Sequence, residues 1–163
     1  MNYQQILNKA SNELQLKNVK SPKLDSELIL AKTLNVRREE ILLNLNKKIH
    51  KSDLNKFNYY LNMRSNHKPI AYIVNFKYFW KYKFLVDRHV LIPRPETELI
   101  IEKVMKILPL SSNKNILDIG TGSGCIAISL INERPDCRIT AIDKSKKAIK
   151  VAKKNAEMHQ VGK

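Results

Sequence analysis

The sequence predicts an α/β protein: an N-terminal helical bundle, a β-hairpin linker, and then the start of a doubly wound parallel sheet. Three observations lead there. Apolar residues recur at helical spacing through the first seventy positions. A run of aromatic and β-branched residues follows between 73 and 86. From Asn115 the pattern becomes strand, glycine loop, helix, strand, helix, the opening half of a doubly wound sheet.

In chain order, Ile6, Ala10 and Leu14, with Leu7 beside them, mark the first helix. Ser21-Pro22 then supplies an N-cap followed by proline at the first helical position, and Leu24, Leu28 and Ala31, flanked by Leu30 and Leu34, form the next stripe. A short third helix covers about Arg37 to Asn44, with Ile41, Leu42 and Leu45 as its apolar edge. Ser52-Asp53 is expected to cap a fourth, in which Leu54, Phe57 and Leu61 share a side. These stripes have only one another to pack against, so a bundle over residues 1–72 follows.

Val74, Phe76, Phe79, Trp80, Tyr82, Phe84 and Val86 read as a hairpin within a linker spanning 73–90. Two short strands are marginal alone, so the hairpin should lean on a neighbouring domain. Its aromatic residues, interleaved with Lys77, Lys81 and Lys83, could serve single-stranded nucleic acid stacking, but hairpin packing is the reading preferred. Residues 91–163 make the last segment. A helix after Pro93-Arg94-Pro95 runs to about Leu108, with Glu96 and Glu98 at its positive end and Ile100, Val104 and Ile107 on one face. Strands at Asn115 to Ile119 and Arg138 to Ile142 alternate with helices at about Gly124 to Glu133 and, capped by Ser145, to about Met158.

Composition narrows the class. With 163 residues, 43% hydrophobic and 28% charged, the chain has the make-up of a packed globular protein. Its longest apolar stretch, Ile116 to Ile131, is interrupted by Asp118 and by Gly, Thr and Ser, so no membrane span is expected. Met1-Asn2-Tyr3-Gln4-Gln5 has no basic or apolar signal character, and a cytoplasmic setting is expected. Cys125 and Cys137 stand alone and should simply pack, and His50, His67, His89 and His159 lack metal-ligand spacing, so no metal site is predicted. The net charge of +15 suits polyanions, or equally reflects a Lys-, Asn- and Ile-rich composition, and the lysines at 144, 146, 147, 150, 153 and 154 read as a solvated helix face.

The chemistry lies in Asp118-Ile119-Gly120-Thr121-Gly122-Ser123-Gly124. Alternate glycines let the chain turn sharply at a strand end and expose main chain to a ligand at the next helix N-terminus. The spacing G-x-G-x-G departs from the dinucleotide fingerprint G-x-G-x-x-G. Asp118, two residues before the first glycine, is ill placed beside a pyrophosphate but suits a cationic cofactor, which favours S-adenosyl-L-methionine over NAD. Asp143 follows Gly124 by 19 residues, near the offset at which an acid reaches a bound ribose. The candidate cofactor-binding residues are therefore Asp118, Gly120, Thr121, Gly122, Ser123, Gly124 and Asp143.

Further segments carry a resemblance: Leu24-Asp25-Ser26-Glu27-Leu28-Ile29-Leu30, Pro69-Ile70-Ala71-Tyr72-Ile73, Phe79-Trp80 and Leu91-Ile92-Pro93-Arg94-Pro95-Glu96-Thr97-Glu98. With the glycine loop at the expected place, the chain resembles the HemK/PrmC family of release-factor glutamine methyltransferases over essentially its whole length. The resemblance implies a helical substrate-recognition domain, a hairpin linker and a Rossmann-like class I methyltransferase domain. It implies N5-methylation of the glutamine in the Gly-Gly-Gln motif of class 1 peptide chain release factors, with Gly120 to Gly124 cradling the methionine part of the cofactor, Asp143 holding the ribose, and residues 94–98 beside the cleft. The family has glycine where this chain has Asn75 and an acid where it has Tyr78, which predicts a different hairpin shape or different substrate contacts. The sequence contains no Asn-Pro-Pro-Tyr, the family motif that orients the amide, so no catalytic residue is assigned and the 163-residue chain is expected to be inactive alone. Its two parallel strands, with both outer edges unpaired, are expected to be an aggregation hazard. A nucleic acid (RNA or DNA) methyltransferase and a non-catalytic binding module stand as alternatives.

Overall fold

The computed structural model describes residues 1–162, which form two compact units, one ending at Val74 and one beginning at Asn75. The first unit is five helices: α1 (Tyr3–Leu16), α2 (Pro22–Leu34), α3 (Arg38–Leu43), α4 (Lys51–Ser65) and α5 (Ile70–Val74). Helix α1 begins with a capping box in which Asn2 and Gln5 each bond the other's backbone N–H, and it buries Ile6, Leu7, Ala10 and Leu14 as its spacing predicts.

The α2 helix departs from expectation. Leu24 is exposed, whereas Asp25, Ser26, Glu27, Ile29, Leu30, Ala31 and Thr33 are buried on nearly every side. The reason is position: α2 packs against α1, α3, α4 and α5 at once, so its buried residues fall on more than one side. Its carboxylates are tolerated because each is paired, Asp25 with Arg64 Nε at 2.6 Å and Glu27 with Arg38 at 2.7 Å. Removing Arg64, which is itself mostly buried, would leave the Asp25 carboxylate buried and unpaired at a cost of about 3–5 kcal/mol. Ser21 occupies the N-cap position ahead of Pro22 but makes no side-chain cap bond. Helix α4 starts two residues earlier than a Ser52 cap would place it, at Lys51 after His50, so Ser52 and Asp53 lie inside its first turn. Ile73 and Val74, read from sequence as hairpin residues, close α5 instead; the Tyr72 and Ile73 N–H groups turn back to the Pro69 carbonyl.

The second unit opens with an antiparallel hairpin, β1 (Phe76–Phe79) and β2 (Tyr82–Leu85), in register Phe76 opposite Leu85 and Phe79 opposite Tyr82. Asn75 takes φ +67°, the left-handed conformation that glycine adopts without cost and asparagine tolerates best among other residues, so its side chain need not reshape the hairpin. Trp80 in the turn has φ +55°, which costs on the order of 1–2 kcal/mol for a bulky residue. Tertiary bonds hold it there: Trp80 N–H donates to Glu98 at 2.9 Å and its indole Nε1–H to Glu133 at 3.0 Å. As expected, the hairpin leans on a neighbouring layer. Phe79 and Phe84 meet edge to face at 6.2 Å and pack with Ile101, Cys125, Ile128 and Leu130.

A 3-10 turn (Pro95–Thr97) leads into α6 (Glu98–Ile107), followed by β3 (Asn115–Ile119), α7 (Cys125–Glu133), β4 (Arg138–Ile142) and α8 (Lys146–Met158). The buried face of α6 is Ile101 with Val104 and Met105 beside it, not the expected Ile100, Val104 and Ile107; Ile100 and Ile107 face solvent. Strands β3 and β4 pair in parallel, Asn115 opposite Arg138 through Ile119 opposite Ile142. Both cysteines are buried and free. The loops at the far end of this sheet are organised by Arg134, 1% exposed, which grips Asp136 with two bonds at 2.7 and 2.8 Å and donates to the Leu108 and Pro109 carbonyls and the Ser112 hydroxyl. That hydrogen bonding and charge hold the Asp136 carboxyl well below the usual carboxylate range.

Candidate functional site

The site forms where β3 and β4 end side by side. Gly120 and Thr121 N–H groups both donate to the Ile142 carbonyl, at 2.8 and 3.0 Å, which folds the glycine loop back over the end of β4. Gly120, Gly122 and Gly124 have φ of +79°, +56° and +81°. The three alternate glycines therefore answer a real backbone requirement. Their surroundings differ. A Cβ at Gly120 would meet nothing within 4 Å, whereas one at Gly124 would lie 3.0 Å from Ile128 Cδ1 and 3.4 Å from Ala152 Cβ. Gly124 is the close approach of loop to helices, and Gly120 borders open space.

The two acids bracket this loop. Asp118 Oδ2 accepts from the Thr121 hydroxyl at 2.7 Å, fixing its carboxylate against the first loop residues. Asp143, at the end of β4, accepts from Gly122 N–H through Oδ2 at 2.9 Å and from Ser145 N–H through Oδ1 at 2.8 Å. The backbone donors at Ser145 and Gly122 pull its pKa down, so it is ionised at neutral pH. Each of its oxygens retains acceptor capacity beyond the one backbone bond it uses. Thr121 and Ser123 are buried within the loop, and α7 begins directly after it at Cys125, presenting first-turn N–H groups that have no intrahelical acceptor. Burial pushes the Cys125 thiol up, which leaves it an inert packing residue.

All seven sequence-predicted residues thus lie on one loop and two adjoining strand ends. Together they offer a ligand a bare main-chain edge at Gly120, an ionised carboxylate at Asp143 and a second carboxylate at Asp118. The Arg94-to-Glu98 segment forms the 3-10 turn, and through Glu98 it grips the hairpin turn at Trp80. Among the described residues, no group of three His, Cys, Asp or Glu side chains could hold a metal.

Sequence reasoning passed over two residues that organise the site. Asn155, in the last turn of α8, bonds both the glycine loop and β2. Glu133, at the end of α7, accepts from the Trp80 indole, the Tyr82 hydroxyl at 3.1 Å and Lys81 Nζ at 2.9 Å. The Lys81 bond, followed by those from Trp80 and Tyr82, outweighs burial and lowers the Glu133 pKa. The available signal for Asn155 was a polar residue continuing the apolar stripe of Ala148 and Val151.

Residues 5–74 match the family model of the PrmC N-terminal domain, and residues 110–163 match a methyltransferase domain. A release factor glutamine methyltransferase of Buchnera aphidicola is 43% identical over 138 residues, covering 85% of this chain and 50% of its own length. A release factor glutamine methyltransferase of Leptospira interrogans is 41% identical, covering 93% and 53%, and a bifunctional methyltransferase of Rickettsia typhi is 39% identical, covering 96% and 34%. The chain spans about half the length, or less, of these curated relatives. The chain belongs to the PrmC family, joining that family's N-terminal domain to methyltransferase-domain sequence that carries the glycine loop and its two acids.

Proposed function

We propose that this protein binds S-adenosyl-L-methionine on the Gly120-to-Gly124 loop and serves N5-methylation of the glutamine in the Gly-Gly-Gln motif of class 1 peptide chain release factors. The observation that carries the cofactor reading is the Asp143 carboxylate, locked by Gly122 and Ser145 N–H groups and ionised beside a loop whose Gly120 borders open space. In this reading Asp143 accepts from the two ribose hydroxyls, Asp118 faces the amino acid end, and the loop backbone lies against the methionine chain. The substrate reading is supported by relatives named release factor glutamine methyltransferase. An amide nitrogen is a poor nucleophile because its lone pair is delocalised, so transfer needs acceptors that hold the NH2 in line with the methyl. This sequence contains no Asn-Pro-Pro-Tyr to do so, and the 163-residue chain is expected to bind without turnover. A cytoplasmic setting accompanies this reading, supported by two buried cysteines that are both free.

Calorimetric titration tests the cofactor half: S-adenosyl-L-methionine binds and NAD does not, and Asp143→Ala weakens binding by about tenfold or more, as expected for losing charge-assisted hydrogen bonds. Binding of NAD alone would reject the reading. Label transfer from the methyl-tritiated cofactor tests the other half: the purified chain leaves the release factor unlabelled, and turnover would reject its inactivity. The +15 net charge and the exposed lysines of α8 favour a second reading as a nucleic acid methyltransferase. Steeply salt-dependent RNA binding, with no binding to a release factor, would favour it.

A further inference from the structure

Asn155 is 0% exposed, yet its side chain leaves its own helix entirely for its partners. Its Oδ1 accepts from Leu85 N–H at 2.7 Å, and its Nδ2 donates to the Leu85 carbonyl at 3.0 Å and to the Ser123 carbonyl at 2.8 Å. A primary amide has two N–H donors, and here they are divided between two elements. The exchange with Leu85 reproduces the reciprocal N–H···O=C pair of neighbouring antiparallel residues, so the side chain acts as one more rung at the end of β2. The other donor fixes the glycine loop.

That last bond has a specific target. The Ser123 carbonyl and the Gly124 N–H belong to one rigid peptide unit, and its N–H donates to the Thr121 carbonyl at 2.8 Å. The adjacent Gly122 N–H is held by Asp143. The tip of the loop is therefore pinned from both ends of the stretch 143–155, by Asp143 at the close of β4 and by Asn155 within α8. Glycine peptides rotate freely unless something holds them. A leucine has the same branched shape but would leave the Leu85 N–H and the Leu85 and Ser123 carbonyls without the partner that asparagine gives them, so what asparagine adds is the hydrogen bonding that orients these backbone groups.

We propose that Asn155 is a positioning residue for cofactor binding, which sets the Ser123–Gly124 peptide plane and ties the glycine loop to the hairpin. This rests on the cofactor reading above. In Asn155→Leu, affinity for S-adenosyl-L-methionine falls about tenfold, the loss expected for one or two buried hydrogen bonds. Amide hydrogen exchange by NMR speeds up at Leu85 and Gly124 while the β3 and β4 amides keep their protection. In the unmodified chain, which sidesteps any folding defect of the variant, saturating S-adenosyl-L-methionine shifts the Asn155 side-chain amide resonances and slows their exchange. Failure of the unmodified chain to bind the cofactor sinks the cofactor reading and the positioning role together. If it binds but the variant's affinity stays within twofold, or the Asn155 amide resonances do not move, the positioning role alone is refuted. Uniformly faster exchange across the sheet would reduce Asn155 to a general stabiliser and overturn the proposal as well.

Discussion

Gly120 and Gly124 occupy the same turn and share a positive φ, yet substitutions there should act on different properties. Gly124→Ala adds a methyl 3.0 Å from Ile128 Cδ1 on top of the left-handed strain, and is expected to cost about 2 kcal/mol of stability in urea unfolding. Gly120→Ala carries the strain but meets no neighbour, so it should cost about 1 kcal/mol and act mainly on cofactor affinity in calorimetry. A second residue-scale effect concerns acid stability. Arg134 depresses the Asp136 pKa, so the pair's contribution is fully present above the ordinary carboxylate value of about 4 and is lost as pH falls from there through the folded value. The stability gap between the unmodified chain and Asp136→Asn should be constant from pH 5 to 7 and narrow below about pH 4 in unfolding curves at stepped pH. A gap that widens with acid would contradict this linkage.

At the scale of elements, the hairpin is fastened at its turn by Glu133 and Glu98 and at its base by Asn155. Two four-residue strands have little stability of their own, so these bonds and the burial of Phe79 and Phe84 keep the hairpin docked. Glu133→Ala leaves the half-buried Trp80 indole and Tyr82 hydroxyl without their acceptor and should cost about 2–3 kcal/mol. Trp80 is the sole tryptophan, so the loosened turn should appear as a red shift of its emission under native conditions. Unchanged emission would mean that aromatic packing alone holds the hairpin. His159 adds a weaker fastening, its ring 5.1 Å from that of Phe84 and bonded to the Lys83 carbonyl.

At the scale of the second unit, the parallel sheet is covered on one side only. Ile139 packs into the core with Ile128 and Leu130, while the opposite face presents Leu117, 54% exposed, and Ile119, 74% exposed, beside Ile142. Parallel strands are ordinarily buried on both faces, and large exposed apolar patches drive association. The chain should therefore associate with rising concentration in sedimentation velocity, and Leu117→Lys should reduce that association while leaving the hairpin and bundle intact by NMR. Equal association of the two proteins would locate the sticky surface elsewhere.

The sequence by itself determined the order of elements apart from α5, both parallel strands to the residue, the loop with its two acids, and the family. Those features are local: a glycine needing positive φ, a strand of five residues or a serine cap is set by neighbours along the chain. The hairpin's start was misplaced because Ile73 and Val74 are β-branched, and packing in α5 overrode that preference. The tertiary structure alone decided which face of α2 and of α6 is buried, since an element's inner side depends on how many neighbours surround it. It also decided the roles of Asp25, Glu27, Glu133, Arg134 and Asn155, whose partners lie 2 to 70 residues away. A polar side chain in an apolar stripe declares that it needs a partner, and only the folded chain supplies one.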